Sequence, residues 1–334
     1  MIQRIRTIDA HAAGEPLRLV IEGLRAPEGA TMLEKRAWAL RHLDHLRRAL
    51  MLEPRGHTDM YGALLTEPVT PGADAGVLFM HNEGWSTMCG HGVIAVTTIA
   101  FERGILFAGD RTAITLDTPA GPVAVTATVR GASGAPRVER VAFRNVPSFV
   151  YEPALPVPIG GRIVPVDIAF GGAFYAIVDA EAAGVPIAVE RMPELRALGM
   201  AIKREVEKLR QVVHPQDEGL KGIYGTIFTA PPVGAEAHLR NVTIFADAEV
   251  DRSPCGSGTA AVMAVLDEMG LLSDDVPFVH ESVIGTTFTG RVTGRQDLAG
   301  RPAIIPEIAG SAWITGEHTF LIDGDDPLKA GFRI

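Results

Sequence analysis

Long apolar runs are missing from this chain. None approaches the about 18 residues that a membrane-spanning helix needs, and the amino terminus, MIQRIRTIDAHAAGEPL, lacks the apolar stretch of a secretory signal. Concentrated basic charge is missing as well. Lys and Arg number 31 against 40 Asp and Glu, for a net charge of −9, so the basic face that nucleic acid demands is not expected. Cysteine is scarcest of all, with two in 334 residues. A disulfide framework is therefore not what holds the fold, and a cytoplasmic protein with free thiols is expected. No Lys context suggests a pyridoxal cofactor, and a Cys-x-His pair at 89 and 91 lacks further ligands at metal spacing, so neither cofactor nor metal is expected.

What is present suits a globular chain of two domains. Hydrophobic residues make up 47% and charged residues 21%, enough to build cores of roughly 150 residues each. Thr31-Met32-Leu33-Glu34 reads as a capping box opening a helix with Leu33, Leu40, Leu43, Leu46 and Leu50 on or near one face, ending before Pro54-Arg55-Gly56, and Pro193 to Val213 reads as a second amphipathic helix. Strand-like segments run over 59–65, 75–81, 112–116, 123–129, 138–146, 163–169, 173–178 and 242–245, with Gly and Pro between them. This predicts an α+β or barrel-like fold rather than alternating βαβ units. Pro153 to Gly161 is the best candidate linker.

The two cysteines share a local sentence. Cys89-Gly90-His91-Gly92-Val93-Ile94-Ala95-Val96 and Cys255-Gly256-Ser257-Gly258-Thr259-Ala260-Ala261-Val262 both read C-G-x-G-x-x-A-V. They lie 255 − 89 = 166 residues apart, close to half the chain, which points to two related halves. Each motif leads into an apolar stretch with the length of a buried helix, although the β-branched residues of 93–99 leave a strand as the competing reading there. A cysteine at a helix entrance meets unpaired N–H groups and partial positive charge, which favour the thiolate. Small glycines beside it let the backbone approach a ligand, and the same N–H groups can hold a carboxylate. Two such entrances suit inversion at the α-carbon of an amino acid, one thiolate taking the proton from one face and the other thiol donating from the opposite face. The alternative for both thiols is inert burial.

MCGHG at 88–92, DRSPCGSG at 251–258, the opening DAHAAGEP at 9–16, RGHTDM at 55–60 and the closing ITG at 314–316 together resemble the proline racemase family, over almost the whole chain. That family includes hydroxyproline 2-epimerases and trans-3-hydroxyproline dehydratases. The resemblance implies a diaminopimelate-epimerase-like fold of two pseudo-symmetric domains, each a β-barrel-like shell around a central helix. With the linker, it sets the domains at 1–155 and 156–317, with 318–334 returning to the first. It implies a small-molecule substrate, proline or hydroxyproline, no cofactor, and a homodimer as one expected assembly. Carried over residue by residue, Cys89 and Cys255 are the acid/base pair. Gly90, His91, Gly256 and Ser257 surround the substrate carboxylate and neighbouring groups, Asp251 accepts from the ring nitrogen, and Tyr224 falls where the ring substituent is contacted. Asp251 as a turn cap, Tyr224 as a packing residue and a non-catalytic amino-acid-binding protein are the plainer readings. The dehydratase branch typically has Thr at the second cysteine's place, so Cys255 favours stereoinversion, most of all a 4-hydroxyproline 2-epimerase. The segment 81–88 resembles the dehydratase branch and keeps dehydration as the alternative.

Overall fold

The computed structural model describes residues 2–106, 112–131 and 136–333. The chain divides into two compact units, Met1–Phe143 with Ser311–Ile334, and Arg144–Gly310. Strand Phe149–Ile159 occupies the segment expected to be the linker. It pairs antiparallel with Arg162–Phe170 around the turn at Gly160 and Gly161, whose φ angles of 57° and 80° are left-handed. The Pro and Gly residues read as a linker are those of a hairpin. Its prolines alternate with inward-facing Leu155 and Val157, a pattern that only a strand exploits.

In the first unit, Ile2–Ala12 pairs antiparallel with Glu15–Glu22 and with Ala312–Asp323. Glu15–Glu22 then runs parallel to Tyr61–Thr66, which is antiparallel to Ala75–His81. Ala75–His81 is parallel to Ala113–Thr118, which is antiparallel to Gly121–Arg130. Two helices, α1 (Met32–His42) and α2 (Asp44–Met51), stand where one was expected. The break falls at Leu43, where the Leu46 N–H turns to the Leu43 carbonyl and Asp44 engages the Arg47 side chain. The Thr31 hydroxyl caps α1 through the Glu34 N–H at 3.1 Å, as the capping box requires, but the Glu34 carboxylate reaches the Ala30 N–H instead of that of Thr31.

The third helix of this unit, α3 (Gly90–Glu102), is buried from Gly90 through Phe101 and packs on Ile2–Ala12, Glu15–Glu22, Tyr61–Thr66 and Ala312–Asp323. A segment apolar on every side has no face for water, so it becomes a core helix despite its β-branched residues. Thr98 donates its hydroxyl to the Ile94 carbonyl at 2.9 Å, so that hydroxyl is satisfied within the helix.

The second unit repeats the order of pairings. Arg162–Phe170 is antiparallel to Phe174–Asp179, which is parallel to Gly225–Ala230. Gly225–Ala230 is antiparallel to Leu239–Phe245, which is parallel to Phe278–Glu281, which is antiparallel to Thr287–Leu298. Here α4 (Ala180–Ala183) and α5 (Met192–Leu209) lie on the outside, and α6 (Gly256–Glu268) is buried from Gly256 through Val265. Both units thus alternate antiparallel and parallel pairings around one core helix, and each core helix begins directly after a cysteine.

Candidate active site

The helix entrance in the first unit is built by Trp85–Ser86, a short strand paired with Ala75–His81 that delivers the chain to Cys89. Cys89 caps α3 with extended backbone, and its Sγ accepts from the Gly92 N–H at 3.2 Å. His91 is buried with its ring nitrogens 3.3 and 3.5 Å from Cys89 Sγ. The Tyr61 ring meets His91 edge-on at 4.7 Å, and the Tyr61 hydroxyl lies 2.6 Å from the Ser86 hydroxyl. Gly90 forms the first turn, so its N–H is among those left without intrahelical partners.

In the second unit Glu249–Asp251 plays the delivering role, paired with Leu239–Phe245. Cys255 precedes α6 with φ +62°, ψ 104°, a sparsely populated conformation that costs an L-residue roughly 1–3 kcal/mol. Its N–H donates to Ser253 Oγ at 3.1 Å, and Ser253 in turn donates its hydroxyl and its N–H to Asp251 Oδ1 at 2.6 and 2.9 Å. Burial raises the Asp251 carboxyl to about 6, with the Ser253 and Cys255 hydrogen bonds pulling the other way. Burial also pushes the Cys255 thiol up, helped by the Asp251 charge, and hydrogen bonds from the Tyr175 hydroxyl and the Gly258 N–H draw it down. Ser257 sits in the first turn of α6 with its Oγ 2.7 Å from the Tyr175 hydroxyl, which is also 3.7 Å from Cys255 Sγ.

The glycine two places beyond each first glycine has a purpose the sequence alone does not display. A methyl group on Gly92 would lie 2.8 Å from Cys89 Sγ, and one on Gly258 would lie 2.8 Å from Cys255 Sγ. Both spacings keep room for the thiol itself, in addition to any ligand. Tyr61 opens the strand that pairs parallel with Glu15–Glu22, and Tyr224 immediately precedes Gly225–Ala230, in which Gly225 lies opposite Tyr175. Tyr224 stacks on Phe245 at 5.4 Å and meets Tyr175 edge-on at 5.9 Å, so it stands one ring away from the residue touching Cys255.

Within each unit, then, the expected residues assemble: Cys89, Gly90 and His91 in the first, and Asp251, Cys255, Gly256 and Ser257 in the second, with Tyr224 at one remove. Tyr61 and Tyr175 are additional. Their one sequence signal is rarity, since the chain has four tyrosines and three of them lie at these two entrances. Among the described residues no group of three or more His, Cys, Asp or Glu side chains is disposed to hold a metal, and no helix is long and apolar enough to cross a membrane.

Residues 7–333 match the family model described as proline racemase. The chain belongs to the proline racemase family. Among its relatives is a trans-3-hydroxy-L-proline dehydratase of Bacillus thuringiensis subsp. konkukian, 49% identical over 98% of this chain and 97% of that protein. A 3-hydroxyproline 2-epimerase of Burkholderia multivorans is 42% identical over 99% of this chain and 98% of that protein. Among solved structures, a hydroxyproline epimerase of Agrobacterium vitis with bound trans-4-hydroxy-L-proline superposes with a TM-score of 0.92 at 31% identity, covering 99% of this chain and 95% of that one. The α+β fold is thus that of the proline racemase family.

Proposed function

We propose that this proline racemase family member inverts the α-carbon of a hydroxyproline with two thiols and no cofactor. The observation that carries the reading is that each unit places a thiol at the entrance of its buried core helix, and inversion needs an acid and a base on opposite faces of the carbon. One thiolate removes the α-proton, and the electron pair passes into the carboxylate. The N–H groups of the first turns, at Gly90 and His91 and at Gly256 and Ser257, stabilise the charge that develops there. The other thiol returns a proton from the far side, so each turnover exchanges the protonation of the pair. Asp251, ionised above about pH 6, takes a hydrogen bond from the cationic ring nitrogen. Tyr224 faces the ring substituent by this reading. The hydroxyl on C3 is the first ring to test, because the relatives at 49% and 42% carry that substrate in their names. The C4 hydroxyl is supported by the ligand of the 31% identical structure.

Dehydration of trans-3-hydroxy-L-proline is the second reading, favoured by the 49% identical relative. It needs a base for the α-proton but no return of a proton from the other face. Incubation with L-proline, trans-4-hydroxy-L-proline and trans-3-hydroxy-L-proline, following optical rotation and dehydration product together, separates the two. Cys255→Ser is expected to abolish inversion. Inversion at the wild-type rate in that variant removes Cys255 from the mechanism, and a dehydration product surviving without inversion supports the second reading.

A further inference from the structure

Tyr175 has no part in the two-thiol chemistry as written, yet it is the hydroxyl built against the second thiol. It stands on Phe174–Asp179 with no exposed surface. Its ring meets the Tyr224 ring edge-on at 5.9 Å. Phenylalanine would fill such a place. A hydroxyl enclosed there costs free energy unless it is bonded, and this one has two partners for its single proton, Ser257 Oγ at 2.7 Å and Cys255 Sγ at 3.7 Å. Its strand is locked in register opposite Gly225–Ala230, and its ring is edge-on to Tyr224, so the hydroxyl is delivered to this spot by a fixed backbone.

We propose that Tyr175 is a positioning residue for Cys255: its proton turns from Ser257 to the sulfur when Cys255 is a thiolate, and the Ser257 hydroxyl then donates to Tyr175. The sulfur anion is thereby held in one orientation at the helix entrance. This rests on the two-thiol reading above. The groups bearing on the sulfur are few. Asp251, on the segment leading into α6, opposes the anion with its charge, and Arg252 beside it moderates that carboxylate. Thr243, from Leu239–Phe245, lies near the thiol without a hydrogen bond to it, and Tyr224 bears on Tyr175. Tyr175 stays neutral throughout, because burial and the neighbouring Cys255 and Tyr224 push its own ionisation well above 10. It lends a hydrogen bond and gives up no proton.

A Cys89→Ser background leaves Cys255 as the chain's one thiol, since there are two in all. The rate of iodoacetamide alkylation at a fixed pH then reads the thiolate fraction with no substrate present. Tyr175→Phe is expected to slow alkylation about tenfold, the loss of one charge-assisted hydrogen bond. Placing 3-fluorotyrosine at 175, the same shape with a stronger donor, is expected to speed it, and this variant stands even if Tyr175→Phe fails to fold. In the converse Cys255→Ser background, Tyr175→Phe is expected to leave the alkylation of Cys89 within about twofold. Unchanged rates at Cys255 in both variants, or an equal fall at Cys89, overturn the assignment. Because no substrate enters the assay, either result leaves the two-thiol reading to its own test.

Discussion

Each thiol depends on a residue that contributes no atoms beyond its backbone. A methyl group on Gly258 would lie 2.8 Å from Cys255 Sγ and 2.9 Å from Ile227 Cδ1, overlapping both. Gly258→Ala is therefore expected to displace the thiol, lowering kcat by about tenfold or more for a shift that misaligns the reacting atoms. A steady-state comparison with wild type checks this, and an unchanged kcat shows that the sulfur has slack. The cysteines and these glycines were legible in the sequence because a motif repeated across half the chain advertises itself. Tyr175 was not, because nothing local distinguishes a strand tyrosine that meets a thiol from one that fills a core.

Elements were read most accurately where one periodicity or one apolar run dominates. Strand 75–81 matches its expected bounds, and both post-cysteine stretches are helices. The long strands Ile2–Ala12, Glu15–Glu22, Thr287–Leu298, Arg301–Gly310 and Ala312–Asp323 had no counterpart in the sequence reading. Their alternation is broken by exposed apolar residues such as Ile2 and Trp313 and by buried charges such as Asp9 and Arg18, which pair with each other at 2.8 Å. How α6 is anchored is likewise visible only in three dimensions. Thr259 in α6 lies 2.9 Å from His280 Nδ1 and bonds the Pro254 carbonyl, which also accepts from Asn241. Burial lowers His280 from 6.5 to about 3, so it folds neutral. A histidine depressed in this way contributes stability that is present above 6.5 and is lost as pH falls from 6.5 towards 3. Urea unfolding followed across that window is expected to show the loss, and His280→Asn to flatten the slope by one proton. An equal slope in the variant places the acid sensitivity elsewhere.

At the scale of the whole chain, two units with the same succession of pairings hold one thiol each. A planar ring acid such as pyrrole-2-carboxylate resembles the flattened α-carbon and is expected to compete with substrate for the intact protein. Absence of competition in an inhibition assay counts against a planar intermediate. The likeness of the units also has a limit. Cys89 caps its helix from an extended conformation, and Cys255 stands at the same place before its helix with φ +62°, where a β-branched side chain is severely disfavoured. Exchanging a cysteine for threonine is consequently a small change at one helix and a large one at the other. Threonine at 255 is therefore expected to need a different backbone through Arg252–Pro254 from the one that Cys255 has here. The two halves are alike in plan and unequal in what each helix entrance tolerates.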